Sequence, residues 1–211
     1  HASSYSFTSF DYPGTTGITI AMKNNDLGQV VGGYNNIPHG FIYNGTTFNS
    51  IDYPGAAFSV PSDINNNGYI VGTHYNSSGW YGNFAGYLFD GVSFTSLAYP
   101  GAVRTHAQAI NSDGLIVGNY QVDTSWHGFS YFDGVFETID VHVNNNEHTQ
   151  LLGVNDSGQI VGLYHDGTTN HGLLLNGDTP TFINCPGASS TEANMINDSG
   201  IIVGTCNYGT I

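Results

Sequence analysis

Asn197-Asp198-Ser199-Gly200-Ile201-Ile202-Val203-Gly204 decides how this chain is read, because it is the last of five copies of one motif. The others run from Asn25 to Gly32, Asn65 to Gly72, Asn111 to Gly118 and Asn155 to Gly162, at spacings of 40 to 46 residues. A near-regular period of that size marks an array built from one supersecondary unit. Within the motif, Asn-x-x-Gly is a hairpin signal, since glycine takes positive φ without steric cost. The Ile/Val run behind it has the β-branched, continuously apolar character of a strand buried on both faces.

Each unit extends from that hairpin in the same way. Thr191 to Ile196 supplies the segment before the turn. In the first unit a third segment is His39 to Tyr43, and a fourth is Thr47 to Asp52, ended by Tyr53-Pro54-Gly55. Proline cannot donate to a ladder, so it stops the strand there. Four short strands per unit predict an all-β fold, a five-bladed β-propeller with four-stranded blades. The last unit stops at Tyr208 to Ile211, which aligns with a third segment, and Tyr5 to Gly14 reads as a fourth one. The fifth blade is therefore expected to be closed by N- and C-terminal strands, leaving few edges to aggregate. An open β-solenoid is the alternative, and it calls for cap repeats that the sequence does not show. Blades share a ring without linkers, so residues 1–211 are expected to form a single domain.

Composition bounds the function. Lys and Arg total 2 against 16 Asp and Glu, a formal net charge of −14. Such a surface repels nucleic acid and anionic membranes. No stretch of some 18 apolar residues is present to span a bilayer. The chain begins at His1 without an initiator Met, as a processed secreted protein does. Cys185 and Cys206 fall on one face in neighbouring blades, and neither has a CxxC spacing. They are read as a disulfide or as two unpaired thiols.

The pattern Asn-x-x-Gly-x-Ile/Val-Val-Gly, then His39-Gly40-Phe41, then Phe48 to Ala56 resembles the HAF repeats of extracellular bacterial proteins. The resemblance covers essentially the whole chain and implies a secreted bacterial protein, without implying an activity. Some units depart from it. The second has Ala85-Gly86-Tyr87 and the fifth Tyr208-Gly209-Thr210 at the His-Gly-Phe position, and the third has Val141-His142-Val143 for Tyr-Pro-Gly.

Strand direction alternates, so the Asn-x-x-Gly turns share one face and the loops after second and fourth strands share the other. The turns are alike in every unit and are read as structural. Asp26, Asp113, Asp156 and Asp198 look like turn formers that bond their own backbone, and one such turn has too few oxygens for calcium. The loop face is where the units differ, and variable loops on a rigid scaffold carry function. The loop from His74 to Phe84 holds Trp80 and Tyr81, and the next unit has Asp123 and Trp126. These five residues suit a sugar, whose apolar ring faces stack on aromatics while hydroxyls bond polar groups. The plainer reading makes each tryptophan a packed anchor. Tyr34, Tyr75, Tyr120 and Tyr164 recur at the end of the second strand and read as packing. His39, His127 and His171, each before glycine, read as hydrogen-bonding locks.

Residues that break the repeat gather at the start of the inner strands. They are Arg104 and His106, then Glu147 and His148, then Glu192. Arg104 is the only arginine, and a guanidinium on an acidic protein can clamp a carboxylate unless Glu147 or Glu192 already pairs with it. The leading expectation is a secreted, extracellular protein that binds a polysaccharide or other glycan. An alternative is a uronate lyase, with Arg104 neutralising the carboxylate and His106 or His148 abstracting the adjacent proton. A glycoside hydrolase using Glu147 and Glu192 is a further form. Nine histidines show no metal-ligand spacing, so no metal or cofactor is expected, copper on His1 being a minor alternative.

Overall fold

The computed structural model describes residues 9–36, 39–75, 84–122, 124–142 and 148–209. Unit one comprises β1 (Ile20–Asn24), β2 (Val30–Tyr34), β3 (His39–Tyr43) and β4 (Phe48–Ile51). Unit two has β5 (Phe58–Ile64), β6 (Ile70–Tyr75), β7 (Ala85–Phe89) and β8 (Phe94–Leu97). Unit three has β9 (Arg104–Ile110), β10 (Ile116–Val122), β11 (Ser125–Phe132) and β12 (Val135–Ile139). Unit four has β13 (His148–Val154), β14 (Ile160–His165), β15 (Asn170–Asn176) and β16 (Thr179–Ile183), and unit five has β17 (Ser190–Ile196) and β18 (Ile202–Asn207). Units one to four are four-stranded antiparallel sheets in sequence order, and unit five is a two-stranded one. The described residues form strands and turns only, and no helix among them is long and apolar enough to cross a membrane.

The repeated Asn organises each turn twice over. Its Oδ1 accepts the backbone N–H four residues on, in Asn25/Gln29, Asn65/Tyr69, Asn111/Leu115, Asn155/Gln159 and Asn197/Ile201. Its Nδ2 then donates to the backbone carbonyl of the same Asn in the following unit. Asn25 reaches Asn65 O at 3.0 Å, Asn65 reaches Asn111 O at 2.9 Å, Asn111 reaches Asn155 O at 3.2 Å and Asn155 reaches Asn197 O at 3.1 Å. The first four asparagines are buried, where an amide left unbonded would be costly. This is why only Asn serves: Asp has no donor to pass on.

The core lies between units rather than within them. Val31 and Ile51 of unit one pack with Ile64, Ile70 and Tyr87 of unit two. Val71 and Leu97 then meet Ala107, Ile110, Ile116 and Phe129, and Val117 meets Leu151, Val154 and Ile160. The second strand carries a glycine because backbone crosses it closely. A Cβ on Gly118 would lie 2.0 Å from the His106 carbonyl, and the Phe129 ring fills the same space.

A second joint holds the loop leaving each unit's fourth-strand segment to the first strand of the next. Its backbone N–H donates to a hydroxyl there, in Tyr12/Thr19, Tyr53/Ser59, Tyr99/Thr105, Val141/Thr149 and Cys185/Thr191. Tyr12 therefore sits on unit one as Tyr53 sits on unit two, and Phe10 contacts Phe41 and Tyr43 just upstream. Rings cement this joint. Tyr12 stacks on Tyr34 at 3.7 Å, Tyr53 on His74 at 3.6 Å and Tyr99 on Tyr120 at 3.7 Å. Position two of this stack is thus His74, which corrects the expectation that Tyr75 belongs to the series. Tyr75 instead stacks on Phe58. At the last joint the pair is Cys185 and Cys206, joined by a disulfide with Cα atoms 6.0 Å apart.

One face of unit five lacks a neighbour among the described residues. Val203 is 50% exposed, whereas its counterparts Val31, Val71, Val117 and Val161 are 0% exposed. Tyr208 and Gly209, expected to begin a third strand, follow β18 without forming one. Even so, the array curves around a shared centre. A cavity of about 470 Å³ on the turn face is lined from all five units, including Met22, Ile64, Ala109, Val154 and Met195.

Candidate functional site at the loop face

The histidine locks take the form anticipated. His39 Nδ1 pairs with Asp52 at 3.2 Å and His127 Nδ1 with Asp140 at 2.7 Å, while His171 Nδ1–H donates to Asn184 Oδ1 at 2.9 Å. The same aspartates accept the N–H of Gly40 and Gly128. Unit two has Ala85 and Ala98 at the two positions, so both halves of the lock are absent together. His171 also bonds Asp166, and the hydrogen bond to that carboxylate, followed by the one to Asn184, raises the histidine's pKa.

On each inner strand two repeat positions flank the joint hydroxyl and so take the opposite face of the strand. In units one and two they hold Ile18 and Ile20, then Phe58 and Val60. In units three to five they hold Arg104 and His106, His148 and Gln150, and Ser190 and Glu192. The registers Arg104↔Gln121, His148↔His165 and Ser190↔Asn207 show these to be equivalent places. The polar sector thus spans three adjacent units.

Its first half is built on β9. The Arg104 guanidinium lies over the Phe84 ring, 5.6 Å from the centroid, and has no carboxylate partner among the described residues. His106 stands between Phe84 and Trp126, each 5.4 Å away, with Nδ1 3.3 Å from Thr73 Oγ1. Burial, and then the nearby Arg104 charge, lower the His106 pKa to about 4. It is neutral at pH 7 and keeps a lone pair on one nitrogen.

The second half joins units four and five. The Gln150 amide donates to His148 Nε2 at 3.2 Å, and the His148 ring meets His165 edge-on at 5.7 Å. Burial lowers the His148 pKa, aided by the like-charge effect of His165 and His127. His165 Nδ1 bonds Asn170 Oδ1 at 2.9 Å, and Asn170 Nδ2 donates to Glu192 Oε1 at 3.0 Å. Glu192 therefore faces Asn170, and does not pair with Arg104.

Two expected sugar contacts are placed differently. Trp126 belongs to strand β11, not to a loop, and packs its ring beside His106. His74 is 7% exposed beneath Tyr53, with neither ring nitrogen bonded among the described residues, and burial lowers its pKa. It is a joint residue, stacked on Tyr53. Trp80, Tyr81, Asp123 and Glu147 lie outside the described residues. Phe84, His165 and Asn170 were missed, while Gln150 was noted only as part of the repeat-breaking stretch from Glu147 to Gln150. Each becomes visible only when its repeat position is known, since none has a motif of its own. No cluster of three or more metal-ligating side chains occurs among the described residues.

No family model matches the chain, and no curated protein does. Solved structures do share its fold. One is a catalytically inactive histidine-to-alanine variant of virginiamycin B lyase from Staphylococcus aureus, solved with quinupristin. It is 11% identical with a TM-score of 0.55, over 91% of this chain and 71% of that one. Another, assigned as a gluconolactonase, is 15% identical with a TM-score of 0.54, over 87% of this chain and 69% of that one. At such identities the likeness is one of fold alone, and the chain is an all-β, β-propeller-like array.

Proposed function

We propose that this chain is a secreted five-bladed propeller of a single domain whose loop face binds a polysaccharide bearing uronate carboxylates. The observation that carries the reading is Arg104. It is the sole arginine of an acidic chain, set over Phe84 beside a neutral histidine, with Glu192 held elsewhere by Asn170. A planar guanidinium beside aromatic edges suits a carboxylate on a sugar ring. The disulfide favours an oxidising compartment, in keeping with secretion.

The fifth blade takes its fourth strand from the N-terminus in this reading. Support comes from Tyr12, whose bond to Thr19 and stack on Tyr34 repeat those of Tyr53 and Tyr99 in the next two units. Phe41 and Ser50 face each other across β3 and β4, and residues 210 and 9 are their counterparts. Cysteines placed at 9 and 210 should therefore cross-link within one molecule; a purely intermolecular product would remove the closure.

A second reading, uronate lyase, is favoured by one specific observation. His106 and His148 are both kept neutral by burial, so either has a lone pair to take the proton beside a neutralised carboxylate. A panel of neutral and uronate polysaccharides separates the readings. Retention without product supports binding, and the ultraviolet absorbance of an unsaturated uronate supports lysis. Loss of retention in Arg104→Ala, not restored in Arg104→Lys, is expected in both. Full retention on every polymer by the Arg104→Ala variant would remove the proposed site.

A further inference from the structure

One repeat position just before the turns carries different chemistry in every unit. It is the residue two before each turn asparagine, and it pairs with the valine of the second strand. The five pairs are Lys23↔Val31, Asp63↔Val71, Ala109↔Val117, Gly153↔Val161 and Met195↔Val203. All five of these residues line the turn-face cavity of about 470 Å³, a size suited to a small molecule. Lys23 is the only lysine of the chain. It pairs with no carboxylate among the described residues. Asp63, on the neighbouring unit, is held in place. Its Oδ1 accepts the Ile64 N–H at 2.9 Å, and its Oδ2 accepts the Ile110 N–H of unit three at 3.0 Å. A carboxylate has about four lone-pair sites, so these bonds leave it able to accept more. Burial raises the Asp63 pKa, and the Lys23 charge offsets part of that rise. The two charges thus act on each other without closing an ion pair. A pair kept for structure alone would close, because a buried charge without its partner is costly.

We propose that the turn-face cavity binds a free α-amino acid with an apolar side chain, its carboxylate on Lys23 and its ammonium on Asp63. The rest of the lining suits that class. Met22, Ile64 and Met195 supply apolar wall, while Ala109 and Gly153 fill little of the space. Exposed Asp26, Asp156 and Asp198 line it too, and they repel a simple anion. A simple cation would leave the Lys23 charge unmatched. A zwitterion answers both charges and brings no net charge of its own. The site lies on the face opposite to Arg104 and does not rest on the polysaccharide reading.

The test titrates the isotope-labelled chain with L-leucine, L-methionine and L-phenylalanine and follows its backbone amide signals. At least one should give saturable shifts at Ile110 and Gly153. Analogues of that amino acid lacking the ammonium or the carboxylate should bind at least about tenfold more weakly. Lys23→Met and Asp63→Asn should each weaken the amino acid by the same order, and the same spectra report folding. Should Asp63→Asn not fold, Lys23→Met, which places there the residue of unit five, keeps the test decisive. Arg104→Ala should leave the titration unchanged. No saturable shift at Ile110 and Gly153 with any of the three, full affinity in folded Lys23→Met, or loss in Arg104→Ala overturns the proposal. No glycan enters the measurement, so a failure of polysaccharide binding leaves it standing.

Discussion

The turn face and the loop face of this array use one backbone in opposite ways. On the turn face every unit repeats the same asparagine, the same turn bond and the same glycine, and the first four asparagines each bond the following unit. On the loop face the same seats are filled by different chemistry. The joint is a tyrosine stack in two units, a tyrosine on a histidine in another and a disulfide in the last. The lock is His–Asp, His–Asn or two alanines. The difference lies in how much freedom each position has. A turn amide must reach a fixed carbonyl in the next unit, whereas a joint needs only two groups that attract across a fixed gap.

The strongest way to break the comparison is at the second-strand glycine. Gly118→Ala drives a Cβ into the His106 carbonyl. It should cost more than about 4 kcal/mol and leave little folded protein by circular dichroism. A mild effect would mean the strand crossing can relax.

Next is the disulfide, a test of interchangeability. Replacing Cys185 and Cys206 by serine should cost about 2–4 kcal/mol in denaturant melts. Placing tyrosine at both positions should recover about 1 kcal/mol of that by rebuilding the stack. No recovery would show that the last joint differs in more than chemistry.

Acid should distinguish the faces as well. His106 is neutral in the fold at pH values where an unfolded histidine already binds a proton. Stability is therefore lost as pH falls from about 6.5, and the loss is complete below about 4. It amounts to at most about 3 kcal/mol, with His74 and His148 acting in the same direction. His106→Asn should flatten the curve over that range, and an unchanged curve would assign the acid sensitivity elsewhere. The smallest effect is a transplant. Ala85→His with Ala98→Asp should supply unit two with a lock and raise stability by about 0.5–1 kcal/mol.

The array and its unit boundaries were legible in the sequence because Asn-x-x-Gly and the Ile/Val run each have one structural meaning. The lock was legible for the same reason, in His39, His127 and His171. The site was only half legible. Arg104, His106, His148 and Glu192 stand out as departures from a repeat, and they occupy equivalent repeat positions in units three to five. Their partners did not stand out. Asn170 acts through an amide whose orientation depends on Glu192, twenty-two residues away in the chain and adjacent only through sheet packing. His74 was misread because a one-residue difference in alignment separates it from Tyr75, and only the register His74↔Ser59 decides which of them enters the joint. Trp126 was read as a loop residue because β11 begins earlier than its counterparts, at Ser125.

The asparagine ladder has a consequence for how such a molecule can change size. Each of the first four amides points forward, from one turn to the same carbonyl of the next. Excising or duplicating a whole unit joins a donor to an acceptor identical to the one it had. Inserting part of a unit would strand an amide and break the count. Growth in complete modules is thus nearly neutral for this network, and each copy, once made, is free to diverge on its other face.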